Sequence, residues 1–160
     1  MWICSTEGFY SIVAHPTEED VLVVRARCLG DLVAFRRVAQ RSTLHPNLAD
    51  ELGVKALAEA KIHPTPLRDY AFRLFASRVA VGIVMGELAM DNRATNFKSA
   101  IAASPTQADK LLAYSRFHHE MEAWQCRQSE APRDWPVTPV FKPGLAAKPG
   151  NKRKKPLATK

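Results

Sequence analysis

The first 28 residues hold three apolar segments joined by links too short for anything but antiparallel pairing. Met1–Ser5, Gly8–Ala14 (GFYSIVA) and Asp20–Arg27 (DVLVVRAR) are rich in β-branched and aromatic residues, which suit a pleated, half-buried strand. A parallel return needs a crossover of roughly a dozen residues, and the chain leaves no room for one. The link His15-Pro16-Thr17-Glu18-Glu19-Asp20 is polar and carries a proline, as a hairpin turn requires. In the third segment Leu22, Val24, Ala26 and Cys28 alternate with Val21, Val23, Arg25 and Arg27. The first set is expected on the core, with Arg25 and Arg27 on the opposite sheet face.

Helical periodicity begins after Gly30, with Asp31 placed as an N-cap and Leu32, Phe35, Val38 and Ala39 as the apolar stripe. Asn47–Ala60 reads as a second helix, weakened by Gly53 in its middle. Ile62–Pro66 and Asp69–Ala76 read as two further strands around the turn Thr65-Pro66-Leu67-Arg68, and the prolines confine the first of them to an edge. Within the second, Tyr70, Phe72 and Leu74 alternate with Ala71, Arg73 and Phe75. Ser77 is expected to cap a helix over 78–90 that buries Val79, Ile83, Val84 and Leu88. Gly82 and Gly86, four apart, either admit a close backbone neighbour or simply weaken that helix.

Asn96–Ala103 gives one or two helical turns. Ser104-Pro105-Thr106-Gln107 then combines an N-cap serine, proline at the first helical position and a capping-box glutamine. The helix it opens is expected to run to about Arg127, with Leu111, Tyr114, Phe117, Met121 and Trp124 on one stripe. The predicted fold is α+β, a mainly antiparallel sheet of four to five strands covered by three to four helices. Residues 1–127 form one domain in this reading, and 128–160 a disordered tail rich in proline and lysine.

The net charge of +7 is confined to the end of the chain. Residues 142–160 carry seven basic side chains and no acid, which leaves 16 basic against 16 acidic residues over 1–141. Six of the eleven prolines also lie beyond residue 131, where helix and sheet hydrogen bonds are correspondingly lost. The run Lys152, Arg153, Lys154 and Lys155 suits weak, salt-sensitive contact with phosphates of a nucleic acid. A solubilising tail without a partner explains the same residues equally well, and nuclear-targeting or anionic-lipid readings also fit the composition. Trp135, Val137, Val140 and Phe141 are placed to dock back on the domain or on a partner.

Catalytic patterns are missing from the sequence. It contains no G-x-S-x-G, Walker A or G-x-G-x-x-G motif, and Cys4, Cys28 and Cys126 stand in apolar or helical contexts where thiols are inert. His118 and His119 lie one helical turn from Glu122, but the second histidine of H-E-x-x-H is missing, so a solvated helix face is favoured over a metal site. The set Arg25, Arg27 and Arg73 is more informative. If their strands are neighbours, three guanidinium groups converge on one sheet face and suit a carboxylate or phosphate, with Asn96 and Lys98 as further contributors. Ordinary ion pairs with Glu18, Glu19, Asp20 or Asp69 are the simpler explanation and are favoured by the charge balance of residues 1–141.

The start Met1-Trp2-Ile3-Cys4-Ser5-Thr6, with Gly8-Phe9-Tyr10-Ser11-Ile12-Val13 following, resembles that of a family of small uncharacterised bacterial proteins. These share an MW-x-x-[ST]-x-x-GF-[FY]-S-[IV]-V opening and a strand ending in V-R-A-R, here Val24-Arg25-Ala26-Arg27. The resemblance continues at Asp69-Tyr70-Ala71-Phe72-Arg73, a D-Y-x-[YF]-R pattern, and at Asn96-Phe97-Lys98. This chain departs from the pattern in an apparent insertion over 42–58, in Arg93-Ala94-Thr95 before the N-F-K motif, and in its tail. The resemblance implies the α+β fold and no particular activity.

These features together point to a small binding or adaptor protein and not an enzyme, with no cofactor. The tail adds nucleic-acid affinity, and the 106–127 helix offers a face for a protein partner or a second copy. The alternative is an enzyme or sensor that binds a phosphorylated or carboxylated small molecule at the arginine face. No apolar run reaches the length of a membrane span, the N-terminus has no leader-like pattern, and three cysteines without C-x-x-C spacing suit the cytosol.

Overall fold

The structure, a computed structural model, describes residues 1–128, and side chains as far as Trp124. Residues Met1–Glu122 form one compact unit, and a second begins at Ala123. The tail expected over 128–160, including Trp135, Phe141 and the basic run 152–155, lies outside the described residues apart from Gln128.

Five strands, β1 (Trp2–Cys4), β2 (Phe9–Ala14), β3 (Val21–Ala26), β4 (His63–Pro64) and β5 (Phe72–Ser77), form one sheet in the order β1-β2-β3-β5-β4. Every pairing is antiparallel. The α+β fold expected from the sequence is therefore the observed one. The β2–β3 turn is closed by His15, whose backbone N–H donates to Val21 O at 3.0 Å while its Nδ1 accepts from Glu18 N at 3.1 Å. β4 is an edge strand, where Pro64 leaves no ladder hydrogen bond wanting.

Six helices accompany the sheet: α1 (Leu29–Gln40), α2 (Pro46–Glu51), α3 (Val54–Glu59), α4 (Arg78–Met90), α5 (Phe97–Ala103) and α6 (Leu111–Gln128). Helices α1, α3 and α4 pack on one sheet face. Leu32, Phe35 and Val38 of α1, Val54 and Leu57 of α3, and Val81 and Val84 of α4 meet Tyr10, Ile12, Val24 and Leu74 there. Ser77 caps α4 as expected, accepting from Ala80 N at 3.2 Å.

Several sequence expectations are corrected. Asp31 is not the N-cap of α1. That position is Cys28, which makes no side-chain cap bond, and Asp31 lies buried within the first turn. Cys28 itself is exposed, not in the core, because the strand ends at Ala26 and the helix starts immediately after it. The helix expected over 47–60 is two helices, broken where Gly53 adopts φ +74°.

In α4 the buried side is Ala80, Val81, Val84, Glu87 and Leu88, whereas Val79 is 53% exposed. The cap at Ser77 sets the rotation, which turns Val79 outward. A Cβ added at Gly82 or Gly86 would meet nothing within 4 Å, so neither glycine admits a close backbone neighbour. Tyr70 precedes β5 and is not part of it. Ser104 ends α5 and does not open α6. A 3-10 turn over Ala108–Lys110 intervenes, and α6 begins at Leu111.

Candidate anion-binding site

Strand register decides which side chains share the sheet face opposite α1, α3 and α4. Trp2 lies opposite Ser11, Ser11 opposite Arg25, Arg25 opposite Arg73, and Arg73 opposite His63. One row of residues thus crosses all five strands, spanning about 19 Å at the usual inter-strand spacing. The neighbouring row runs Val13, Val23 and Phe75. Phe75 is exposed, with the His15 and His63 rings edge-on to it at centroid distances of 5.6 and 5.5 Å.

The structure brings Arg25, Arg27 and Arg73 together. Like charges directly opposite one another destabilise a sheet, so the Arg25–Arg73 pair needs compensation. Asp69 supplies part of it. Its Oδ2 lies 3.8 Å from Arg25 Nη1 and its Oδ1 3.7 Å from Arg73 Nη2. Both distances exceed hydrogen-bond length. Asp69 Oδ1 makes its better contact with Tyr70 N, at 3.0 Å, and the residue is 60% exposed.

Arg25 Nη2 donates to Ser11 Oγ at 2.7 Å, and Arg27 Nη1 donates to the Asp69 carbonyl at 2.9 Å. The guanidinium carbons of Arg25 and Arg27 lie 4.6 and 4.9 Å from the Tyr70 ring centroid, within cation–π range. Tyr70 is held for this role by the β4–β5 turn, where Thr65 Oγ1 donates to Tyr70 O at 2.7 Å and Thr65 N to Ala71 O at 2.7 Å. Arg25 Nε and Arg73 Nε are buried and have no acceptor among the described residues.

Arg25 and Arg73 therefore share one loosely held carboxylate, and Arg27 holds the backbone carbonyl of the same residue. Of the four acids considered as partners, Asp69 fills that role. Glu18 instead lies 3.6 Å from the His15 ring nitrogen. The cluster is rich in donors, and guanidinium groups so placed can hold an oxyanion through charge-assisted, partly bidentate hydrogen bonds.

Asn96 and Lys98 do not join the arginines. Asn96 caps α5, its Oδ1 accepting from Ser99 N at 3.0 Å, and both residues line a separate cavity with Phe97, Tyr114 and His118. On α6, His119 Nδ1 lies 3.5 Å from Glu122 Oε2 on an exposed face. Among the described residues no cluster of three His, Cys, Asp or Glu side chains could hold a metal. Ser11 and Tyr70 escaped the sequence reading as site residues. A lone serine inside the otherwise apolar GFYSIVA is the signal that could have found the first, once the hairpin register places it opposite Arg25.

A second polar cluster ties α1 to the segment before α6. The buried Asp31 carboxylate accepts from Gln107 Nε2 at 3.1 Å, from Phe9 N at 3.4 Å and from Lys110 Nζ. Gln107 Nε2 also donates to Glu7 O at 3.1 Å, and Lys110 Nζ donates to Gln107 Oε1 at 3.1 Å. Above this cluster, Tyr114 packs against Phe9 and Phe97. Burial pushes the Tyr114 hydroxyl well above the usual tyrosine range, with the Asp31 carboxylate adding to the shift. Cys4 and Cys28 are free, exposed thiols, and partial burial raises the Cys4 pKa. No family model, curated protein or solved structure matches this chain.

Proposed function

We propose that the protein is a cytosolic binding protein, not an enzyme, which holds the phosphate or carboxylate group of a small molecule between Arg25 and Arg73. The observation that carries this reading is the charge imbalance of the cluster. Arg25 and Arg73 face one carboxylate beyond hydrogen-bond distance, Arg27 beside them has only a backbone carbonyl, and two buried Nε–H groups have no acceptor among the described residues. Asp69 in this reading occupies the place of the ligand anion and leaves when the ligand arrives. The two short motifs V-R-A-R and D-Y-x-F-R, which carry the resemblance to the small bacterial family, supply all three arginines, Asp69 and Tyr70.

Thermal denaturation in inorganic phosphate at constant ionic strength tests the reading. Phosphate raises the Tm of the wild type relative to chloride, and Arg25→Gln with Arg73→Gln abolishes the difference. Asp69→Asn keeps the acceptor for Tyr70 N but removes the competing charge, so phosphate binds it more tightly than the wild type. An equal Tm rise in the double arginine variant would overturn the assignment.

Charge segregation favours a separate role for the tail. Lys152, Arg153, Lys154 and Lys155 give the full-length protein weak, sequence-independent nucleic-acid affinity. Replacing all four by glutamine removes an electrophoretic shift seen at low salt. A shift that persists unchanged places the affinity elsewhere.

A further inference from the structure

A cavity of about 360 Å³ lies where the start of α6 approaches the β1–β2 end of the arginine-bearing face. Its size falls within the range of about 300–1,000 Å³ occupied by small-molecule sites. Trp2 and Phe9 from the sheet and Tyr114 and Phe117 from α6 line it with four aromatic rings. Trp2 and Phe117 are both about half exposed or more, so these rings have apolar surface without a partner among the described residues.

The charges on the same wall do not cancel. Arg27 and Lys110 line the cavity together with Asp31. The Asp31 carboxylate already accepts from Gln107, Lys110 and the Phe9 amide. Lys110 has three N–H donors and uses two, on Asp31 and Gln107. Arg27 is exposed and has no carboxylate within ion-pair distance among the described residues, since its one acceptor is the Asp69 carbonyl. The cavity wall therefore carries one net positive charge.

From this combination we infer that the cavity binds a small aromatic monoanion, an aryl carboxylate, as a site distinct from the Arg25–Arg73 pair. The ring lies among Trp2, Phe9 and Phe117, where offset or edge-on aromatic packing is favourable. The carboxylate takes the free N–H groups of Arg27 and the third N–H of Lys110. An uncharged ring of the same shape leaves Arg27 without a counter-ion, so the site selects for charge as well as shape. Arg27 belongs to both sites, but Arg25 and Arg73 are not on this wall.

Calorimetric titration of the full-length protein with 2-naphthoate tests the inference, with neutral 2-naphthalenemethanol as the charge control. Naphthoate is expected to bind the wild type at one site, and the alcohol at least tenfold more weakly. Arg27→Gln weakens naphthoate by roughly 10- to 100-fold, the loss of a charge-assisted hydrogen bond. Ala113→Phe, on the α6 wall, fills the cavity and abolishes naphthoate binding while leaving the phosphate-induced Tm rise intact.

Conversely, Arg25→Gln with Arg73→Gln loses the phosphate response and keeps naphthoate. Failure of the phosphate reading alone thus leaves the naphthoate result standing. Equal binding of acid and alcohol, or naphthoate binding insensitive to both Arg27→Gln and Ala113→Phe, would overturn the inference. So would its loss in the Arg25/Arg73 variant.

Discussion

The three arginines meet different local demands. Arg25 is largely enclosed, with one nitrogen on Ser11 and its plane against Tyr70, while Arg27 reaches past the strand end to a backbone carbonyl. Among the described residues Arg73 has only the distant Asp69 carboxylate. Strand alternation assigns Arg25 and Arg73 each to a face, but their convergence depends on β3 and β5 being neighbours, which the sequence leaves open. Asp69 is one of four acids the sequence offers as partners, but Tyr70 is not foreseen beside them, because it sits in the β4–β5 turn, where periodicity no longer fixes direction. Buried tyrosines add a pH dependence at the same scale. Burial raises the pKa of both Tyr10 and Tyr114. An unfolded tyrosine ionises near pH 10, roughly the model-peptide value. The stabilising contribution of each is therefore complete below that pH and is lost as the pH rises above it. Urea titrations between pH 8 and 12 should show a falling limb that Tyr114→Phe makes shallower. An identical limb in the variant contradicts this.

Among the elements, the hairpins and the α4 cap followed from local chemistry, and the long-range ties did not. Ser104-Pro105-Thr106-Gln107 looks like a helix start by spacing, yet Gln107 is buried and binds Asp31 and the Glu7 carbonyl, residues far away in sequence. Tertiary hydrogen bonds outweighed a capping preference of about 1 kcal/mol. Asp31 was drawn inward for the same reason. Asp31→Ala leaves Lys110 partly buried without its counter-ion and is expected to destabilise the fold by about 3–5 kcal/mol in chemical denaturation. A loss under about 1 kcal/mol would mark the pair as no more than a surface contact.

Gly53 marks the α2–α3 break. There a Cβ would stand 3.1 Å from Ser77 Oγ, and the left-handed backbone strains any other residue. Gly53→Ala should cost about 1–2 kcal/mol. It should also loosen the α4 cap, since Ser77 Oγ both accepts from Ala80 N and donates to Leu52 O.

At the scale of the whole molecule, the sequence and the structure divide the positive charge differently. By count residues 1–141 are neutral, which argues against any basic surface on the folded part. Strand register nevertheless sets Arg25 opposite Arg73 with Asp69 near both, and Arg27 follows just past the strand end, so a neutral total conceals a local excess. The sheet has helices α1, α3 and α4 on one face and the arginine row on the other, and the first α6 residues reach the β1–β2 end of that second face. This is the arrangement that leaves Arg25 and Arg73 within reach of a ligand. The most direct test observes the Nε–H resonances of Arg25 and Arg73 by NMR while inorganic phosphate is titrated into the full-length protein at constant ionic strength. Both signals should shift saturably, and at lower phosphate concentration in Asp69→Asn than in the wild type. Signals that stay in place, or that move equally with chloride, would contradict an anion site on this face.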